Sequence, residues 1–390
     1  MQKYKIDWLS FSVRCYDDEP TNTLDENLLE LLGYDFAEEF STDISGKNFY
    51  NRGATISGYV NVYWNDYTDT KNPVRKNSSK TMNVVYTGQG STDLALRNDN
   101  DWIKIFSILS TYEPKNKPKV EAEEAKPSVN ITRIDIALDD FDELVKFDDI
   151  EKKLKKGHYR SSKRSYNIVK TSDQNGQKLG ETIYIGNART ASGSRGNVYA
   201  RFYDKLAQYR EKNQLVTSDV REHWKKTGKE VWQRYEISFS KNYTNSIVEA
   251  ILNGESIDKI FKGSLRNLLE ILTPRGKNKN RWYKTKWWED FLQYDEKKGF
   301  DLPNRDVMFA ETLEWLRVAV LPSLNVMEKI GKERGFDIYD LLRNARKPSE
   351  LSKKQSRLIA DTRNKSDETI NEYLTKFLLG IEIEKERGGK

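Results

Sequence analysis

NITRIDIALDDFDE, residues 130–143, is the stretch whose reading decides the fold. Ile134, Ile136 and Leu138 alternate with Arg133, Asp135, Ala137 and Asp139. A period of two sends successive side chains to opposite faces of a strand, so one face is apolar and the other carries acids and a base. Two later segments repeat the pattern. In VWQRYEISFS, residues 231–240, Arg234, Glu236 and Ser238 oppose Tyr235, Ile237 and Phe239. In NVYARFYDK, residues 197–205, Tyr199, Arg201 and Tyr203 oppose Val198, Ala200 and Phe202. If these segments are neighbours in one sheet, three separate parts of the chain build a single face of acids, arginines and tyrosines.

Working outward, YKIDWLSFSV at 4–13 reads as a first strand, and plain alternation puts Ile6, Trp8 and Ser10 opposite Asp7, Leu9 and Phe11. The leucines of residues 24–40 predict a helix, GYVNVYW (58–64) and MNVVYTG (82–88) predict strands, and 100–111 predicts another helix. EPKNKPKVEAEEAKPS, residues 113–128, is dense in proline and charge and reads as a flexible insertion. ETIYIGN (181–187) reads as a strand joined to 197–205 by the turn ARTASGSRG, and a helix is expected around 204–214. Beyond about 245 the spacing is helical, at 245–253, 256–272, 286–296 and 306–332, with a kink expected at Pro322 and a charged helical tail beyond Pro348. The fold class this predicts is α+β: a catalytic antiparallel-sheet domain over 1–272, then a helical C-terminal region over 273–390.

Composition bounds the function. The chain has 390 residues, of which 32% are charged, yet it holds nine Trp, 21 Tyr and 15 Phe, more aromatic surface than a disordered chain carries. Mean hydropathy is −0.82. No apolar run approaches the ~18 residues of a membrane span, and the opening MQKYKIDWLS lacks the apolar core of a signal peptide, so a cytoplasmic protein without a membrane partner is expected. One cysteine, Cys15, excludes a disulfide framework, and the two histidines, His158 and His223, lie far apart. Any metal is then held by oxygen, which suits Mg²⁺ or Mn²⁺.

The net charge of +6 is moderate, but its distribution is uneven. Lys155, Lys156, His158, Arg160, Lys163, Arg164 and Lys170 form one basic cluster. Arg275, Lys277, Lys279, Arg281, Lys284 and Lys286 form a second, interleaved with Trp282, Tyr283, Trp287 and Trp288. Cations neutralise phosphates and flat rings stack on unpaired bases, so Arg275, Lys279, Arg281, Lys284 and Trp287 are read as DNA contacts. Acids, arginines and tyrosines on one face suit phosphodiester transesterification. A tyrosine hydroxyl, pKa about 10, needs its anion stabilised to act as a nucleophile. Carboxylates can hold a divalent ion that polarises the phosphate, and arginine forks the phosphate oxygens. These residues alone do not choose among Tyr184, Tyr199 and Tyr203.

TRIDIALDD, ETIYIG, RFYDK and RYEISF, in this order and spacing, resemble the replication initiators of rolling-circle plasmids, the Rep_trans family. IDWLSFS, YTGQGS at 86–91 and KTKWWEDFL at 284–292 resemble the related relaxases of Gram-positive integrative conjugative elements. The resemblance implies a sheet related to the histidine-hydrophobe-histidine nickases, with carboxylates in place of histidine ligands. It selects Tyr203 as nucleophile, in Arg201-Phe202-Tyr203-Asp204-Lys205, with Arg201 beside it and Lys205 on the DNA. Asp135 and Glu236 become the main metal ligands, Asp139 and Asp7 compete for a third place, and Arg234 is read as a DNA contact. The function implied is a relaxase that nicks a transfer origin and carries the 5′ end on Tyr203, with a plasmid rolling-circle initiator as the alternative and a non-catalytic DNA-binding protein as the third reading. Partners are single-stranded and duplex origin DNA, a second copy in a homodimer, and a helicase, since the chain has no GxxxxGK[ST] segment of its own.

Overall fold

A computed structural model describes residues 1–292 except 48, 77, 116, 118–126, 177, 187–195 and 212–215, then 313, 316–344 and scattered helical residues up to 378. The strands are β1 (Gln2–Arg14), β2 (Ser41–Ser45), β3 (Arg52–Ile56), β4 (Val60–Trp64), β5 (Thr81–Tyr86), β6 (Val129–Asp140), β7 (Tyr159–Arg160), β8 (Tyr166–Ser172), β9 (Lys178–Ile185), β10 (Val198–Asp204), β11 (Gln233–Ser240), β12 (Glu270–Thr273) and β13 (Tyr283–Lys284). The helices of the same unit are α1 (Glu26–Leu31), α2 (Phe36–Glu39), α3 (Gly88–Arg97), α4 (Trp102–Thr111), α5 (Phe147–Lys155), α6 (Lys205–Glu211), α7 (Ser218–Thr227), α8 (Asn242–Leu252), α9 (Ile257–Leu268) and α10 (Lys286–Leu292). The insertion expected at 113–128 and the turn at 188–196 lie largely outside the described residues.

Ten strands form one sheet in the order β2-β3-β4-β5-β1-β6-β11-β10-β9-β8, and every named pairing in it is antiparallel. The three segments read as site strands are therefore neighbours, with β11 between β6 and β10. On the apolar face Ile134, Ile136, Tyr235, Ile237, Phe239, Ala200 and Phe202 are fully buried with residues of α4, α8, α9 and α10. The side chains that alternation sent inward form one core, and the polar face is left for the site.

β1 departs from plain alternation. Its register against β6 shifts between Ile6 and Trp8 and again between Ser10 and Phe11. Ile6, Leu9, Phe11 and Val13 are all core residues, so the expected two-sided pattern, with Ile6 opposite Leu9, is corrected. A β-bulge inserts a residue and re-aims the side chains around it. The helix expected over 24–40 is broken into α1 and α2 because Gly33 takes φ +89°, a left-handed conformation that ends the first helix. The helix expected over 256–272 ends at Leu268, and the following residues form β12, paired with β7 and β13.

The chain divides into two compact units, Met1–Leu302 and Pro303–Lys390. The division drawn from sequence lay at 272/273; Trp288, Phe291 and Leu292 of α10 belong to the core of the first unit. In the second unit a π-helical turn at Leu316–Val320 leads into α11 (Leu321–Arg334), followed by α12 (Ile338–Asn344). Pro322 stands in the first turn of α11, directly after the π-helical turn at Leu316–Val320. No described helix is long and apolar enough to cross a membrane.

Trp288 is 2% exposed, donates its indole N–H to the Leu269 carbonyl at 3.2 Å and packs on Phe291 at 5.4 Å between ring centroids. Trp288→Ala is expected to lower the unfolding free energy by about 3–5 kcal/mol in urea titrations, with a smaller loss for the half-buried Trp287.

Candidate active site

Because β6, β11 and β10 are adjacent, their polar positions fall into rows. Tyr203 stands opposite Arg234, which stands opposite Asp139; Arg201 stands opposite Glu236; Ser238 stands opposite Asp135. Trp8 on β1 is the register partner of Asp135. This face floors an open cleft of about 1050 Å³, lined among others by Lys5, Asp7, Trp8, Asp135, Asp139, Arg201, Tyr203, Lys205 and Arg234.

Asp135 and Glu236 are each 1% exposed. Arg133 Nε donates to Asp135 Oδ1 at 2.8 Å and a second guanidinium nitrogen reaches Oδ2. Arg201 Nη2 pairs with Glu236 Oε1 at 2.5 Å, and the Tyr203 hydroxyl donates to Glu236 Oε2 at 3.3 Å. Burial, followed by the charge of Asp135, raises the Glu236 carboxyl to about 8 even with Arg201 beside it. Two carboxylates side by side offer hard oxygens to a divalent cation, and the buried Glu236 Oε1 has no hydrogen-bond donor among the described residues, although Arg133 and Arg201 already neutralise the pair. Burial also raises the Tyr203 hydroxyl well above its ordinary range, with Glu236 adding to the effect.

The other two expected ligands are held differently. Arg234 Nε and Nη2 fork Asp139 at 2.6 and 2.8 Å, Trp232 Nε1 donates to Asp139 Oδ1 at 2.7 Å, and Arg234 Nη1 donates to Asp7 Oδ2 at 2.8 Å. Lys5 Nζ pairs with Asp7 Oδ1 at 2.9 Å. Burial opposes charge on Asp7, but Arg234 and Lys5 outweigh it and hold its pKa below the ordinary value. The Arg234 guanidinium, 2% exposed, is thus turned into the protein between two acids rather than outward to a ligand. Burial and the nearby Arg234 lower Lys205, which faces the cleft, to about 8.

Arg275, Lys279 and Arg281 are exposed on the connection from β12 to β13, and none lines the cleft. Lys279 Nζ lies 5.2 Å from the Tyr159 ring centroid and 5.9 Å from that of Trp282, and His158 meets Trp282 edge-on at 5.5 Å. Pairing of β7 with β12 therefore joins the two basic clusters into one surface. Lys284 lies 3.7 Å from Glu270, and Trp287 packs against the core. Lys170 of the first cluster is internal to an acidic group: Asp148, Glu151 and Glu181 have oxygens within 4.8 Å of one another, and Lys170 Nζ reaches them at 3.7, 2.5 and 3.5 Å. An ammonium stands where that group would hold a cation.

The site residues not singled out from the sequence are Arg133, Trp232 and Lys5. Arg133 was visible as the position two before Asp135 on the same face; the partner of Trp232 is 93 residues away and gave no local signal.

The model of a family described as replication initiation factor matches residues 129–342, more than half of the chain, and the chain belongs to that family. Among solved structures it is similar to a rolling circle replication initiator protein from Geobacillus stearothermophilus, at 25% identity and a TM-score of 0.56. That likeness covers 75% of this chain and 96% of the other. The mixed antiparallel-sheet fold is the fold of such an initiator. A search of curated proteins finds no match.

Asp139→Ala leaves the Arg234 guanidinium buried with half its partners gone and is expected to cost about 3–5 kcal/mol. In urea titrations the double variant Asp139→Ala/Arg234→Met should be less destabilised than the sum of the single variants, because the Arg234 charge is removed along with its partner and Asp7 keeps Lys5.

Proposed function

We propose that this protein initiates rolling-circle replication by nicking one strand of origin DNA, with Tyr203 as the nucleophile. The observation that carries the reading is the contact of the Tyr203 hydroxyl with Glu236, in a cleft where Glu236 adjoins Asp135 and is held by Arg201. The initiator reading stands ahead of the transfer-origin relaxase expected from the sequence, because the family and the structural neighbour are both described as replication initiators.

The oxygen of Tyr203 attacks the scissile phosphorus, a new P–O bond forms to the tyrosine, and the bond to the 3′ oxygen breaks. The 5′ phosphate remains on Tyr203, the tyrosine proton leaves, and the 3′ oxygen gains a proton to become a hydroxyl that can prime synthesis. The ester conserves the bond energy, so rejoining needs no nucleotide cofactor. Arg201 holds Glu236 in place and offers its remaining donors to a phosphate oxygen. Asp135 and Glu236 are the residues that would hold Mg²⁺ or Mn²⁺, an ion that withdraws charge from the phosphate as a Lewis acid. Asp139 and Asp7 act through Arg234 as supports of the sheet face. Lys205 places a cation, or a neutral amine near pH 8, beside the reacting strand. The joined basic surface around Lys279, Arg275 and Arg281 binds flanking DNA by charge, and a separate helicase unwinds the nicked duplex.

With labelled single-stranded origin DNA and Mn²⁺, the parent should yield a covalent adduct on a denaturing gel. Tyr203→Phe should abolish it while leaving DNA affinity nearly unchanged, since only the reacting oxygen is lost; Tyr184→Phe should keep it. EDTA should stop cleavage, and added Mg²⁺ or Mn²⁺ should restore it. An adduct formed by Tyr203→Phe, or full cleavage under chelation, would sink the corresponding part of the reading.

Lys279→Ala should lower the slope of log K against log salt by ~0.7–0.9, the contribution of one phosphate contact, without changing adduct yield on a saturating short oligonucleotide.

A further inference from the structure

Among the described residues two tryptophans line the cleft, Trp8 and Trp232, and they are held in different ways. Trp232 is buried, gives its indole N–H to Asp139 and packs its ring on Tyr209 at 4.5 Å and Phe141 at 5.3 Å. Trp224, Trp282 and Trp288 likewise anchor their indole N–H groups on backbone carbonyls. Trp8 is half-buried, and among the described residues its indole N–H has no acceptor. One face of its ring is covered by the Arg133 guanidinium, 4.4 Å from the centroid. That same guanidinium forks Asp135.

The placement follows from the β1 bulge. Ile6 and Leu9 both turn to the core, and Trp8 stands between them on the polar face, in register with Asp135. A ring that served packing would lie on the apolar face, where burying it contributes most. Here a large flat apolar surface stands among charged groups at the edge of the acid pair, fixed from one side by a cation and lining an open cleft. An aromatic face backed by arginine and open to a charged groove is what an unpaired nucleobase stacks on. Duplex bases have both faces covered by their neighbours, so the partner is a single strand.

We propose that Trp8 is the stacking platform for an unpaired base of the DNA strand beside the scissile phosphate, with Arg133 as the positioning residue that locks the ring and Asp135 at one spacing. This rests on the nicking reading for what lies next to the base, but the stacking itself is measurable without chemistry. The platform sets where along the strand the phosphate meets Tyr203. It tolerates any base, because every base has a π-face.

The test uses the full chain carrying Tyr203→Phe, without metal, titrated with a short oligothymidylate and with a duplex of the same length. Trp8→Leu should weaken oligothymidylate binding by about 5- to 150-fold, the range for losing one base stack, and duplex binding by less than about twofold. Trp8→Phe should bind nearly as well as its parent yet lose most of the tryptophan quenching that thymine stacking produces. Equal weakening toward single strand and duplex, or none toward either, would overturn the platform. Should Trp8→Leu fail to fold, undiminished quenching in Trp8→Phe would overturn it equally. Loss of stacking in the Trp8 variants together with an adduct still formed by Tyr203→Phe would leave the platform standing and remove Tyr203 as nucleophile. The reverse pair of results would do the opposite.

Discussion

The Arg234 guanidinium is the interaction on which the site face depends. It sits on β11, forks Asp139 on β6 and reaches across β6 to Asp7 on β1, so one buried cation ties together three neighbouring strands of the sheet. Removing an arginine and two carboxylates from water is costly, and the arrangement holds because each of the three guanidinium nitrogens finds a carboxylate oxygen. Trp232 adds a third donor to Asp139, and Lys5 neutralises the second oxygen of Asp7. With this clamp in place, Arg201 and Tyr203 on β10 and Glu236 on β11 stand in adjacent rows at fixed spacing.

A division of labour among the four acids follows. Asp139 and Asp7 have their oxygens committed to Arg234, Trp232 and Lys5, whereas Asp135, forked by Arg133, and Glu236, held by Arg201, stand beside each other. Burial, with Asp135 adding to it, outweighs Arg201 and raises the Glu236 carboxyl. The acids closest in composition and alternation are therefore not chemically equivalent. The acids tied to Arg234 build the frame across three strands, and Glu236 of the other pair is the one that meets the Tyr203 hydroxyl.

The bulge in β1 matters for the same reason. An uninterrupted strand would have sent Asp7 and Trp8 to opposite faces; the inserted residue lets both serve the polar side while Ile6 and Leu9 still fill the core. Gly88 stands close by at the start of α3, where an added Cβ would lie 3.0 Å from Asp7 Oδ1, so a larger residue there would have to displace the Asp7 carboxylate. Asp7, Trp8 and the start of α3 thus form one wall of the cleft, and Tyr203 with Lys205 form another.

The sequence by itself determined the faces of β6, β10 and β11. Period-two alternation is a local property of the chain, and the positions of Asp135, Asp139, Arg201, Tyr203, Arg234 and Glu236 on one polar face follow from it. The ordered motifs also pointed to the family that the comparisons then established. What only the tertiary structure decided was which acid meets which base. The partner of Arg234 on β1 lies 227 residues away and that of Trp232 on β6 lies 93 away, so strand order and register, set by the packing of the whole core, assign them. The bulge at Asp7 was hidden for the same reason: a register shift exists only relative to a paired strand. Gly33 ended a helix that leucine spacing alone would have continued, and β12 replaced the end of another because β7 and β13 were there to pair with it. Patterning along the chain fixes direction; the free energy of burial and pairing across the chain fixes contact.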